Sequence, residues 1–195
     1  GDVMLHKVII MLGWLRTAEE VVFYSAAQKP IQLLYIIPTL LATSIFPIIA
    51  RLVRTDPKSA KKLLERYVAL AMILSIPATI LGFVLAKPII VTLFGSEYVA
   101  GILTFQILLL TLPIVYPATI LGNAIFAYDG QKFLALFAST AIIGNILFNF
   151  LLIPIFGIEG AAIATILTQL ITNFLIWRRI KSINGMSLLP ISTTL

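Results

Sequence analysis

The stretch "SAAQKPIQLLYIIP", Ser25 to Pro38, carries Gln28 and Lys29 at the head of an otherwise apolar run, and a second lysine, Lys7, sits inside "VMLHKVIIMLGWL". An ammonium group kept in apolar surroundings is costly, and where it faces water it can attract an anionic group. Asp2 and His6 share a helix face at i, i+4, the spacing of a candidate proton- or ion-coupling pair. Amides and hydroxyls recur at helical spacing elsewhere. Asn145 and Asn149 form one pair, and Thr165, Gln169 and Asn173 lie on one face with Thr168 and Thr172 beside it; Gln106, Tyr116 and Asn123 fall in another run. Cysteine is absent, which excludes disulfides and thiolate metal sites, and no cofactor or metal is expected.

The elements that carry these residues must be membrane helices. Of the 195 residues 60% are hydrophobic and 11% charged, far from the balance of a soluble domain. After the first apolar stretch, five longer ones follow, at about 21–50, 67–94, 98–127, 133–154 and 160–177. None alternates as a barrel strand would, so helices satisfy the backbone. The first stretch spans thirteen residues before Arg16, roughly 20 Å as a helix, and is read as the tail of a span begun upstream. The expectation is an all-α, polytopic membrane bundle of six helices with short, antiparallel connections. Prolines at 30, 38, 47, 77, 88, 113 and 117 should bend them.

Basic residues sort by face. The segment 51–66, Lys132 and the run 178–181 all follow even-numbered spans, so these connections are expected to be cytoplasmic. Within the first of them, "DPKSAKKLLERY" reads either as an interfacial helix or as a plain solvated loop.

Lys7 and Lys29 are left inside the bilayer, roughly 12 and 10 Å from the outer ends of adjacent antiparallel spans. One reading is a pair of cations facing a water-filled lumen; the other is snorkelling, or pairing with Glu19 or Glu20. Gln28, Asn123, Gln169 and Asn173 join them as candidate substrate-binding residues, either lining a hydrophilic path or bonding helix to helix. Asn145 and Asn149 are read as interhelical packing.

The phrases "LGWLRTAEEVVFYSAAQKP", "IIPTLLATSIFPIIARL", "LAKPIIVTLFGSEYVAG", "LGNAIFAYDGQK" and "NILFNFLLIPIFGIEGAAIAT", in order across Leu12 to Lys181, resemble the second half of the polysaccharide flippases of the multidrug, oligosaccharidyl-lipid and polysaccharide exporter superfamily. The resemblance implies one lobe of a two-lobe transporter. Residues 1–181 would form spans seven to twelve and 182–195 a cytoplasmic tail or the start of a further segment. It implies a plasma-membrane protein with no enzymatic step, whose partners are membrane lipid, a lipid-linked oligosaccharide and the missing N-terminal lobe of the same chain, and no nucleic acid. Lys29 and Lys7 would hold the pyrophosphate and sugar. Where relatives often carry an acidic residue near the start of this first span, this chain has His6 and Lys7.

A cation-coupled multidrug exporter is the alternative, but it would want acidic or aromatic groups where these lysines lie. A polyprenyl-phosphate sugar transferase would want clustered carboxylates, whereas Asp56 and Glu65 stand apart. A non-transporting scaffold is opposed by the bent, polar-striped helices alone.

Overall fold

The computed structural model describes residue 8 and residues 11–185; Asp2, His6 and Lys7 lie outside the described residues. Residues 11–15 are helical, and Leu12 there is fully buried. Helix α1, Ala18–Leu34, starts where the Thr17 hydroxyl accepts from the Glu20 amide at 3.3 Å. It passes through Tyr35 into α2, Ile36–Thr55. Helix α3, Pro57–Val84, leads through Leu85 into the short α4, Ala86–Phe94. A 3₁₀ turn, Ser96–Gly101, precedes α5, Ile102–Leu109, and α6, Leu112–Ala127. The last helix, α7, Gln131–Asn184, is broken at Gly157, whose φ of 60° and ψ of −135° suit a residue without a Cβ.

By length and composition these helices supply the crossings that the sequence implies. Ala18–Thr55, Pro57–Val84 and Gln131–Asn184 are each long and apolar enough, and the two segments Ser96–Leu109 and Leu112–Ala127, bent by 47°, count together as another. The break at Gly157 divides α7 into arms 131–156 and 158–184, each about 40 Å long against a hydrocarbon core of about 30 Å. With α7 divided at Gly157, each of the five long apolar runs lies on helical segments long enough to cross, and no strand occurs among the described residues.

Helix α6 is the centre of the lobe. Its Leu112, Tyr116, Ile120, Leu121, Ala124 and Ile125 are buried against α2, α3 and α7. Helix α3 meets it through Leu64, Val68, Ala71 and Ser75, a narrow stripe at i, i+4, i+7 in which small residues let backbones approach. The arms of α7 fold back on each other at Gly157. A Cβ at Gly160 would lie 2.3 Å from the Leu152 carbonyl oxygen, so the "GIEGAAIAT" run does serve close packing, as its composition suggests. Outward faces of α3 and of arm 131–156 are apolar, with Ile73, Ile76, Ile80, Val84, Leu136, Ile143, Phe150 and Ile155 exposed. These are surfaces for lipid.

Two expectations change. "DPKSAKKLLERY" is neither a separate interfacial helix nor a loop, because it opens α3 without interruption. Asp56 caps it, accepting from the Ser59 amide at 3.2 Å and the Ser59 hydroxyl at 2.6 Å, Pro57 takes the first turn, and Lys61 and Glu65 pair at 4.0 Å. At 28 residues, about 42 Å, α3 projects some two turns beyond the hydrocarbon. The prolines also act unequally. Pro30, Pro47, Pro77 and Pro117 sit inside helices, whereas Pro38, Pro88 and Pro113 follow the breaks at Tyr35, Leu85 and Thr111 by two or three residues. Lacking an N–H, they leave the carbonyls of Leu34, Val84 and Leu109 without the usual helical donor.

Candidate functional site

From Lys29, positions 32, 36, 39 and 43 recur close to the 3.6-residue helical period along the bent pair α1–α2, and all are exposed: Lys29, Gln32, Thr39 and Thr43 are polar, with Ile36 among them. This polar stripe contrasts with the apolar exposed faces of α3 and α7. Gln28, one residue from Lys29 and so about 100° around the helix, is buried instead. The two adjacent candidates thus face different surroundings.

The Lys29 ammonium lies 5.9 Å from the centroid of the Phe94 ring, a loose cation–π contact beside the end of α4. Among the described residues no carboxylate is within ion-pair distance of it. Glu20, a partner considered from the sequence, sits 3.8 Å from Arg16.

Where α1 meets α2, a cluster of hydroxyls and amides gathers. Tyr35 hydrogen-bonds through its hydroxyl to Thr111 Oγ1, whose own proton goes to the Leu108 carbonyl, and Gln169 Nε2 donates to the Tyr35 hydroxyl at 3.5 Å. Tyr116 donates to the Leu34 carbonyl at 2.9 Å, the acceptor that Pro38 leaves free. Thr79 Oγ1, whose proton goes to the Ser75 carbonyl of its own helix at 2.8 Å, also lies 3.4 Å from the Leu109 carbonyl, the one that Pro113 leaves free. The break at Tyr35 is therefore stitched by Tyr116, and the Tyr35–Thr111 bond joins it to the break at Thr111.

Gln169 and Asn173 come together behind α6. With Thr119, Thr168 and Thr172 they line a cavity of about 260 Å³ between α6 and the two arms of α7, in which Gln169 Oε1 and Thr172 Oγ1 are buried without a hydrogen-bond partner. Asn123 is elsewhere: it donates to the Thr119 carbonyl of its own helix at 3.0 Å and lines a separate pocket with Thr43, Phe46, Phe126 and Gln131. Gln106 donates to the Phe83 carbonyl at 3.2 Å, bonding helix to helix. Asn145 and Asn149 are both buried, as packing residues should be, but Asn149 Nδ2 bonds Asn145 Oδ1 at 2.8 Å within one helix instead of bridging two.

Residues that sequence reasoning did not single out complete the picture. Gln32, Thr39 and Thr43 carry the Lys29 stripe inward, and the helical spacing from Lys29 was the available signal. Arg16, read as a basic residue of the outer face, donates to the Ile153 carbonyl through Nε at 3.1 Å and Nη2 at 2.8 Å, and to the Pro154 carbonyl at 3.0 Å. It thereby caps arm 131–156 where Gly157 ends it. On the opposite face, Lys61 Nζ donates to the Gly185 carbonyl at 2.8 Å and the Arg179 guanidinium stacks 3.6 Å over Phe133. The two hydrogen bonds from Ser59 hold the Asp56 carboxyl below its ordinary pKa.

Known proteins bear on this geometry. A family model described as "Lipid II flippase MurJ" matches residues 22–195. The chain is 31% identical over 171 residues to a protein named "Probable flippase AglR" of Haloferax volcanii, covering 85% of this chain and 36% of that protein. The chain thus spans about a third of that curated relative's length. A MATE transporter crystallised with MaD3S superposes with a TM-score of 0.81 at 18% identity, over 98% of this chain and 47% of that one. A MOP superfamily transporter from Pyrococcus furiosus gives 0.83 at 18% identity, over 100% and 44%. At such identity the two structures speak to the fold, an all-helical lobe amounting to somewhat under half of a transporter. With the family model matching nearly its whole length, the chain belongs to the lipid II flippase MurJ family.

Proposed function

We propose that this lobe forms one wall of a cavity through which the headgroup of a polyprenyl-(pyro)phosphate-linked oligosaccharide passes from the inner to the outer leaflet of the plasma membrane. A second, N-terminal lobe of the same chain forms the opposite wall. The two rock about the substrate in alternating access while the polyprenyl tail stays in lipid, and no covalent bond is made or broken. Basic connections, 51–66 among them, face the cytoplasm.

The observation that carries the reading is the run of exposed polar residues Lys29, Gln32, Thr39 and Thr43 along α1–α2, interrupted by Ile36, beside the largely apolar exposed faces of α3 and arm 131–156. Polar groups on a surface at membrane depth are tolerated where they meet water. A cation on that wetted face, with no carboxylate to neutralise it among the described residues, favours an anionic passenger over a cationic drug. Lys29 attracts the phosphate, and the hydroxyls and amides below it replace the water that the sugars give up.

Leaflet-resolved translocation by the full-length parent in proteoliposomes tests this. Lys29→Ala should slow transport by about tenfold or more, the equivalent of one desolvated charge-assisted contact, and Lys29→Arg should restore much of it. Unchanged transport by Lys29→Ala would remove Lys29 from the path.

A further inference from the structure

At the inner end of the stripe, Thr43, Phe46, Asn123, Phe126 and Gln131 line a pocket of about 290 Å³. Three elements make it: α2 supplies Thr43 and Phe46, the last two turns of α6 supply Asn123 and Phe126, and α7 begins with Gln131. We infer that this pocket is a subsite for one sugar ring of the lipid-linked headgroup, separate from the place where its phosphate is held. The inference rests on the flippase reading and names what this part of the lobe contributes to it.

The lining chemistry selects a carbohydrate over the other parts of such a substrate. No charged side chain lines the pocket among the described residues, so it offers a pyrophosphate nothing. Two phenyl rings give flat apolar faces to the C–H side of a pyranose, and Phe126 is 46% exposed and so free to receive one. Polar groups around them are neutral, and each keeps some hydrogen-bonding capacity. Asn123 commits its Nδ2 to Thr119 and leaves Oδ1 without a partner among the described residues. Thr43 donates to the Thr39 carbonyl at 2.9 Å and keeps its lone pairs as acceptors, while Gln131 is exposed and can donate and accept. Sugar hydroxyls need this mixture of neutral donors and acceptors beside an apolar face. The volume, at the lower edge of small-molecule sites, matches a single ring.

Distance gives the subsite its role. Thr43 lies fourteen residues along the helix from Lys29, about 21 Å. A headgroup whose phosphate is drawn to Lys29 would therefore reach the pocket with a sugar well removed from the phosphate, so the pocket reads the length and outer rings of the glycan.

The experiment compares two probes bound to the purified full-length parent in detergent: the lipid-linked oligosaccharide extracted from the host, and the sugar-free polyprenyl pyrophosphate. Asn123→Ala, Phe126→Ala and Gln131→Ala should each weaken the oligosaccharide-bearing lipid by about three- to tenfold and leave the sugar-free lipid unchanged. Gln131→Ala, at an exposed position, guards against misfolding as the cause. Lys29→Ala should weaken both probes alike, which tests the phosphate role independently: a failure there with the sugar effect intact overturns the Lys29 assignment and leaves the subsite standing. Pocket variants that weaken both lipids equally, or neither, would overturn the subsite.

Discussion

Replacing Tyr116 with phenylalanine removes one hydroxyl and no carbon, and the structure says where that hydroxyl matters. It donates to the Leu34 carbonyl at 2.9 Å, and Leu34 needs a donor because residue 38 is proline. Hydrogen bonds between membrane helices contribute on average about 0.6 and at most about 1.7 kcal/mol, while an orphaned acceptor costs about 1–3 kcal/mol. Tyr116→Phe should therefore destabilise by about 1–2 kcal/mol. The decisive measurement is a double-mutant cycle with Pro38→Ala, followed by equilibrium unfolding of the full-length parent in mixed micelles. Alanine returns an N–H at position 38 that can satisfy Leu34, so Tyr116→Phe should cost at least about 0.5 kcal/mol less in that background than in the wild type. Equal costs within about 0.3 kcal/mol would mean that the two residues do not share the carbonyl, and the account of the break at Tyr35 would fall.

Other expectations follow from the same coordinates. Arg16→Ala leaves the Ile153 and Pro154 carbonyls without their donor and should cost about 2–3 kcal/mol of unfolding free energy; Arg16→Lys, with no planar fork, should recover less than half of it. Gly160→Ala drives a methyl into the Leu152 carbonyl and should cost about 1–3 kcal/mol or prevent folding, whereas Gly122→Ala, with open space around its Cβ, should be neutral or slightly stabilising in the same assay. Asp56 has a folded pKa below its unfolded value, so its contribution is present above the unfolded pKa and fades as pH falls through the folded one. Asp56→Asn keeps a capping side chain and should flatten the loss of thermal stability below about pH 4; an unchanged acid profile would assign that loss to other groups.

Crossing segments were legible because lipid forces long apolar runs, and for the same reason charge gathered at the helix ends, where part of the basic segment 51–66 opens α3 and 178–181 closes α7. Which prolines interrupt a span was not legible. Pro38 and Pro30 look alike in sequence, but the break at Tyr35 goes with Tyr116, 82 positions away, bonding the freed carbonyl. Arg16 was hidden for a similar reason: its acceptors lie 137 and 138 residues on, at a turn that exists once α7 has folded on itself. Candidate binding residues were legible as polar positions in apolar runs, but not as groups. Gln28 and Lys29 are neighbours in sequence and part company around the helix, while Asn123, Gln131 and Thr43 meet in one pocket, a grouping across three helices that no sequence spacing marks.

The knot of Tyr35, Thr111 and Gln169 has a mechanical consequence. A helix is most compliant where its ladder is cut, and here the cuts in two crossings are strapped together by hydroxyls, with an amide from a third as the buckle. Flexing one elbow must drag the other, so α1 and α5 would swing as a couple while α2 and α6 stay braced. Spin labels on α1 and α5 should keep a constant separation even while each moves against α2 and α6.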